Sequence, residues 1–137
     1  MNTDFLDAHH RHWHDAENLR SGGRWANADH LFGLVAECGL KRLMIAFGMK
    51  TNPDGSPAAG EHRKHADSIW TRYISFCEGP LAATSYPITQ ENPFLDWDVA
   101  QRYAHQDQFN QTVVDTHRDG ADQVRKLIQN ATLAGIL

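Results

Sequence analysis

The segment DAHHRHWHD, residues 7–15, holds four histidines and could bind a metal ion. On a helix, Asp7, His10 and His14 lie at spacings of three and four and share one face. Imidazole nitrogens and a carboxylate are suitable ligands for Zn²⁺ and related divalent ions. The familiar zinc helix has Glu directly after its first His, whereas Arg11 follows His10 here. We therefore expect a polar outer helix face and no cofactor, with metal binding as the alternative.

A second set of reactive groups lies in RWANADHLFGLVAECGLKRLMIAFG, residues 24–48. At about 100° per residue, His30, Glu37 and Lys41 fall on one line of a helix that is apolar on nearly every other side. A His and a carboxylate in an apolar pocket can perform acid–base chemistry or bind a ligand. The structural alternative is a solvent-facing edge or an internal pair of Glu37 with Lys41. Asp29 falls within the apolar arc, and we interpret it as a cap-like group favoured by the helix dipole.

Helices must position these groups, because apolar residues recur at helical spacing in four segments. The pattern predicts helices over about 4–19, 25–48, 63–78 and 106–133, and a short element of uncertain type within 96–105. Residues 50–62 and 79–95 are rich in Pro and Gly and predict an exposed loop and a long irregular connection. Amphipathic helices without strands bury their apolar faces on one another. We expect one all-α domain over residues 1–137, an up-and-down helical bundle of four to five helices.

The second predicted helix is apolar on nearly all sides and must be buried on nearly all sides. It is therefore the central helix of the bundle, or a second subunit also covers it. Gly33 and Gly39 each cost about 1 kcal/mol relative to Ala inside a helix, which indicates that another helix approaches closely at each. In the last helix, Asp119 and Gly120 are the position at which a kink would form.

Bulk composition excludes several classes of protein. A chain of 137 residues with a formal net charge of −4 and 22% charged residues is a globular domain without a general attraction to phosphate backbones. Glu37, Lys41 and Arg42 interrupt the longest apolar segment, so no membrane span is expected. Cys38 and Cys77 lack metal or disulfide-framework spacing, which is typical of buried thiols in a reducing compartment. We therefore predict a cytoplasmic protein.

The segment NADHLFGLVAECGLKRLM resembles the second helix of the HEPN superfamily of small helical-bundle proteins. Members often have the pattern A-x-x-L-x-x-x-A-x-E-x-x-L-K in that helix. The matching positions, with Val where Ala is common, are Ala28, Leu31, Val35, Glu37, Leu40 and Lys41. AQRYAH at 100–105 is a second match, because many HEPN proteins carry Arg-Tyr in the irregular segment before the final long helix.

The resemblance implies a cytoplasmic homodimer that binds RNA or a nucleotide, often within a toxin–antitoxin or defence system and with an antitoxin-like protein partner. HEPN ribonucleases use Arg and His separated by four to six residues, where Arg stabilises phosphate charge and His moves a proton. Arg102 and His105 lie at the expected location and are the catalytic candidates. Only two residues separate them, so their spacing departs from the family pattern. The ligand-binding candidates are Tyr103, His30, Glu37 and Lys41. Arg102 would pair with phosphate and Tyr103 would stack on a base.

Two other functions stay open at the level of the sequence. A metal protein or enzyme would use the inward-facing His and carboxylate groups. A structural subunit would instead bury the apolar surface of the second helix against a partner.

Overall fold

The computed structural model describes all 137 residues and contains helices without a β-sheet. The four α-helices are α1 (Phe5–Ser21), α2 (Trp25–Ala46), α3 (Ala66–Cys77) and α4 (Gln111–Leu133). Short 3₁₀ turns lie between them, and the one that carries Arg102, Val99–Tyr103, is called the arginine turn below. The predicted all-α helical bundle is therefore confirmed.

The helix bounds follow local capping chemistry. Asp4 starts α1, because its side chain accepts the backbone N–H groups of Leu6 and Asp7. The last helix begins later than the predicted residue 106. Asn110 has an extended backbone and accepts the N–H of Val113, which caps α4. The residues just before it form a separate 3₁₀ turn, Gln106–Gln108.

Helix α2 lies at the centre of the bundle and packs against all three other α-helices and the arginine turn. Thirteen of its 22 residues are buried within the single chain. The central-helix alternative is thereby confirmed, since the chain itself supplies most of the cover that this apolar helix needs. Leu31, Leu34 and Ile45 remain half-buried on one side.

The two interior glycines of α2 make room for different neighbours. A Cβ on Gly39 would lie 2.5 Å from Val124 Cγ1 of α4 and 2.8 Å from His9 Nδ1 of α1, so the predicted close helix approach is confirmed there. A Cβ on Gly33 would overlap the indole of Trp97, which precedes the arginine turn. The prediction of a neighbouring helix at Gly33 is therefore wrong, because an aromatic side chain from an irregular segment fills that space.

The long connection between α3 and the arginine turn is held to the core by aromatic side chains. Trp70 Nε1 donates to the Thr89 carbonyl at 3.0 Å, and the Tyr73 hydroxyl donates to the Tyr86 carbonyl at 2.7 Å. These bonds satisfy the buried polar atoms of both rings. The predicted kink site in α4 is used for packing, since a Cβ on Gly120 would lie 2.6 Å from Pro93 Cγ. Helix α4 runs through that position without interruption.

None of the four helices is both long enough and apolar enough to cross a lipid bilayer.

Candidate functional site

A cleft of about 350 Å³ opens between the first turn of α2 and the two 3₁₀ turns that precede α4. Arg24 and Arg102 supply its positive charge, and Asp107 supplies one negative charge. Trp25 and Phe109 are its large apolar side chains. We call this space the arginine cleft.

The cleft lies at the start of α2, which has no side-chain cap. Gly23 has a φ of +69° and turns the chain out of α1, and the N-cap position that follows is Arg24. Arg24 has no short acceptor group to bind the N–H groups of the first helical turn. Those N–H groups have no acceptor within the helix, and the helix dipole places partial positive charge at the same end. This end of α2 therefore favours an anion.

The arginine turn is built by its own short-range hydrogen bonds. Asp98 Oδ1 accepts the Ala100 N–H at 2.7 Å, and Gln101 Oε1 accepts the Asp98 N–H at 3.2 Å. Arg102 Nη1 donates to the Val99 carbonyl at 3.1 Å, and its guanidinium carbon lies 4.7 Å from the centre of the Tyr103 ring. One bond leaves most guanidinium N–H groups available, because the group has five donors.

Behind the arginine turn, a buried carboxylate and imidazole form a network that the sequence analysis missed. Asp29 Oδ1 lies 2.6 Å from His117 Nδ1, and Asp29 Oδ2 accepts the Gln101 amide at 2.6 Å. His117 Nε2 lies 2.9 Å from Asp96 Oδ1, and Phe94 stacks on the imidazole ring. Burial lowers the pKa of His117, but the hydrogen bonds and charges of Asp29 and Asp96 outweigh it, so the pKa is raised overall.

The interpretation of Asp29 as a cap-like group is wrong. Its carboxylate binds the side chains of His117 and Gln101 instead of the N–H groups of α2. Its position in the apolar arc is the signal that could have found this role, since a buried carboxylate requires charged or hydrogen-bonding partners. The identity of the partner had no local signal, because His117 lies 88 positions away along the chain.

The polar line of α2 divides into two parts. Glu37 and Lys41 are buried and joined by a 2.6 Å bond, and His65 Nδ1 lies 3.1 Å from the other Glu37 oxygen. This geometry is the internal pair of the structural alternative, and neither residue lines the arginine cleft.

His30 is half-buried and stacks on Trp97 with ring centres 5.5 Å apart. Its Nδ1 has no hydrogen-bond partner. Burial lowers the pKa of His30, and the nearby charge of Arg102 lowers it further. His30 therefore lies near the arginine turn as a neutral ring, but it does not line the cleft.

The remaining candidates, Tyr103 of the arginine turn and His105 just after it, face solvent. The Tyr103 ring is 79% exposed beside Arg102. His105 is also exposed, and its Nδ1 accepts the Asp107 N–H at 3.3 Å. His105 does not line the arginine cleft, so the fold does not bring it together with Arg102 there.

The histidine-rich segment of residues 7–15 lies on α1, and its side chains differ in their exposure to solvent. Asp7 pairs with Arg11 at 3.4 Å, while His10 and His14 are exposed. No group of three or more His, Cys, Asp or Glu side chains is arranged to hold a metal ion. Another histidine of this segment, His9, is buried and donates from Nδ1 to the Val35 carbonyl at 2.9 Å.

Comparison of the chain with protein-family models, with curated proteins and with solved structures finds no match. Its own fold and geometry describe the protein as an all-α helical bundle with an arginine-lined cleft at the start of its central helix.

Proposed function

We propose that this protein is a HEPN-like helical module that binds RNA or a nucleotide through a phosphate group in the arginine cleft. The observation that carries the proposal is the placement of Arg24 and Arg102 in one cleft with the uncapped first turn of α2. Guanidinium groups bind phosphate through paired, charge-assisted hydrogen bonds, and a helix N-terminus adds backbone N–H donors. The chain is acidic overall, so this attraction is local.

The same cleft offers surfaces for a base. Trp25 and Phe109 line it, and Tyr103 stands exposed next to Arg102. Aromatic rings stack on bases of any sequence, so these residues suit recognition without strict sequence preference. Asp107 opposes an anion in the cleft, and the two guanidinium groups of Arg24 and Arg102 together outweigh its single charge.

The size of the cleft favours a small contact. A volume of about 350 Å³ lies near the lower end of small-molecule sites, which usually occupy about 300–1,000 Å³. One nucleotide unit would fill it, and a longer single strand would continue over Tyr103. Ribonuclease activity is not part of the proposal, because His105 lies outside the cleft that holds Arg102.

Binding assays with two probes test the proposal. The probes are a dye-labelled single-stranded RNA oligonucleotide and an unlabelled nucleoside monophosphate used as its competitor. Arg102→Ala and Arg24→Ala should each weaken RNA binding by at least about tenfold, because a hydrogen bond to a charged group contributes about 1.5–3 kcal/mol. The salt dependence of RNA binding should become shallower in each variant.

Lys50→Ala is the matched control, since Lys50 is exposed, lies outside the cleft and carries the same charge. The proposal fails if the wild type binds neither probe. It also fails if Arg102→Ala and Arg24→Ala bind as tightly as Lys50→Ala. Competition by the monophosphate at low concentration would identify a nucleotide site, and its absence would favour an RNA strand.

The rival proposals have less support from the geometry. A structural subunit was inferred from the apolar excess of α2, which the chain's own helices largely cover. A metal protein was inferred from histidines that form no ligand group. A homodimer and an antitoxin-like partner stay predictions, and the mass of the protein in solution is the measurement that tests the homodimer.

A further inference from the structure

The arginine turn has no buried residue of its own. Val99 packs partly buried against the core, so the turn gains only a little from the hydrophobic effect and polar contacts must add to its hold. Its position matters for the proposed function, because it carries Arg102 on the wall of the arginine cleft.

Trp97, just before the turn, donates its indole N–H to the Asp29 carbonyl at 3.2 Å, and two further polar side chains anchor the turn to the bundle. Gln101, within the turn, donates its amide to Asp29 Oδ2 at 2.6 Å. Asp96, two residues before the Asp98 cap, binds His117 Nε2 at 2.9 Å. Both anchors therefore end on the same buried pair, whose Asp29 and His117 are 2.6 Å apart.

We propose that Asp29 and His117 are positioning residues for the arginine cleft. Acting through Gln101 and Asp96, the pair fixes the arginine turn and presents Arg102 to a bound anion. This inference rests on the proposed function and adds a protonation-dependent control of that site.

The protonation state of His117 decides whether both anchors are in place. The imidazolium donates from both ring nitrogens, whereas the neutral ring has only one N–H. Asp29 is fully buried and keeps the Nδ1–H, because it has no access to water. The Nε2 lone pair of the neutral ring then faces the carboxylate of Asp96. Asp96 is 75% exposed and can turn to water, which removes one side-chain anchor of the arginine turn while Trp97 stays packed at Gly33.

The charged groups around His117 come from few elements. Asp29 of α2 and Asp96 of the connecting segment bind the ring, and Asp98 lines the same neighbouring cleft. Two charged side chains of α1 form ion pairs with α4: Arg20 pairs with Asp115, and Glu17 pairs with Arg118. On the α3 side, Trp70 packs against Phe94, which covers the imidazole face.

Asp96→Asn gives a test with a distinctive outcome. An asparagine amide can accept a hydrogen bond from the imidazolium through its oxygen and can donate to the neutral ring through its nitrogen. The anchor should then persist in both protonation states of His117. In the wild type, RNA affinity should fall about fivefold or more as pH rises from about 6 to about 9. In Asp96→Asn, the affinity should stay nearly constant over that range.

The assay uses a single-stranded oligoadenylate with a pH-insensitive dye, because its phosphodiesters do not titrate in this range. Glu91→Gln is the matched control, since it removes one exposed negative charge from the same connection without touching His117. It should reproduce the wild-type pH profile. Hydrogen exchange of the Ala100 and Ala104 amides, corrected for intrinsic rates, provides a second readout that needs no ligand. These amides bond to Asp98 and Gln101, and their protection should fall with rising pH in the wild type and in Glu91→Gln but not in Asp96→Asn.

The outcomes separate the two proposals. If the wild type binds RNA with a flat pH profile, or if Asp96→Asn follows the wild-type slope, the positioning role is overturned while RNA binding stands. If the wild type binds neither RNA nor a nucleotide at any pH, the proposed function and the control of affinity are overturned together. Protection of the arginine turn that does not change with pH also overturns the positioning role, whatever the binding result.

Discussion

His9 and His117 are both buried in this bundle, with 0% and 1% of their surfaces exposed, yet their surroundings are opposite. His9 lies between α1 and α2, where its Nδ1 binds the neutral Val35 carbonyl and its Nε2 has no partner. Burial lowers its pKa to about 4. His117 binds two carboxylates, whose hydrogen bonds and charges raise its pKa although burial opposes them. Burial alone therefore does not decide whether a histidine is charged, and the partners do.

The two surroundings also differ in what they can do. The His9 site is part of the packed interface around Gly39, where an added Cβ would meet His9 and Val124. The His117 site joins the core to an exposed carboxylate and to the turn that carries Arg102. The first site stabilises the bundle, while the second connects the bundle to the candidate ligand surface.

The largest expected effect on stability comes from removing the Asp29 carboxylate from the buried site around His117. Asp29→Ala leaves His117 and Gln101 without their buried partner and should lower the free energy of unfolding by about 3–5 kcal/mol. Urea denaturation at neutral pH measures the change. Asp15→Ala, at an exposed position of α1, is the control and should stay close to the wild type. A loss below about 1 kcal/mol in Asp29→Ala would mean that the network contributes little to stability.

The second largest effect is expected at His9, because acid pH should destabilise the fold around this buried neutral ring. His9 has a folded-state pKa of about 4 against an ordinary value of 6.5. Its contribution is present above pH 6.5 and is lost as pH falls towards 4, since the unfolded chain takes up the proton first. The shift corresponds to about 3 kcal/mol. His9→Leu should therefore show a shallower fall of unfolding free energy between these pH values, and equal slopes in both proteins would contradict the buried neutral ring.

The stability contribution of His117 should change with pH in the opposite direction to that of His9, and the change should be smaller. The pKa of His117 is raised, so its contribution is present below pH 6.5 and is lost as pH rises through the folded-state pKa. The loss is partial, because the neutral ring keeps its bond to Asp29. His117→Gln should remove this alkaline slope from denaturation curves. If the wild type gained stability with rising pH relative to His117→Gln, the charged assignment would be wrong.

The smallest effect on stability is expected at the ligand surface itself. Arg102 is exposed, and Arg102→Ala should change the free energy of unfolding by less than about 0.5 kcal/mol. Thermal denaturation of this variant beside Asp29→Ala would show that cleft residues and anchoring residues act differently. A large loss in Arg102→Ala would instead assign Arg102 a structural role and would weaken the interpretation of its binding defect.

Much of the helical framework could be predicted from local patterns. The spacing of apolar residues located α1, α2 and α3 to within a few residues, and the burial of α2 followed from its nearly continuous apolar surface. The start of α4 was misplaced, because residues 106–108 form a separate 3₁₀ turn and Asn110, whose own backbone is extended, caps the helix only after it. The HEPN resemblance, the RNA or nucleotide ligand and the dimer stay predictions.

The arrangement of the site was not predictable in the same way. Helical periodicity depends on residues that are three and four positions apart, so a short segment of the sequence is enough to show it. Asp29 and His117 meet across 88 positions, and Arg24 and Arg102 share a cleft because the arginine turn folds back on α2. The same is true of Trp97, whose indole fills the space left by Gly33. Such pairings depend on how the helices pack in three dimensions, and no local spacing encodes which distant partner a buried charge will find.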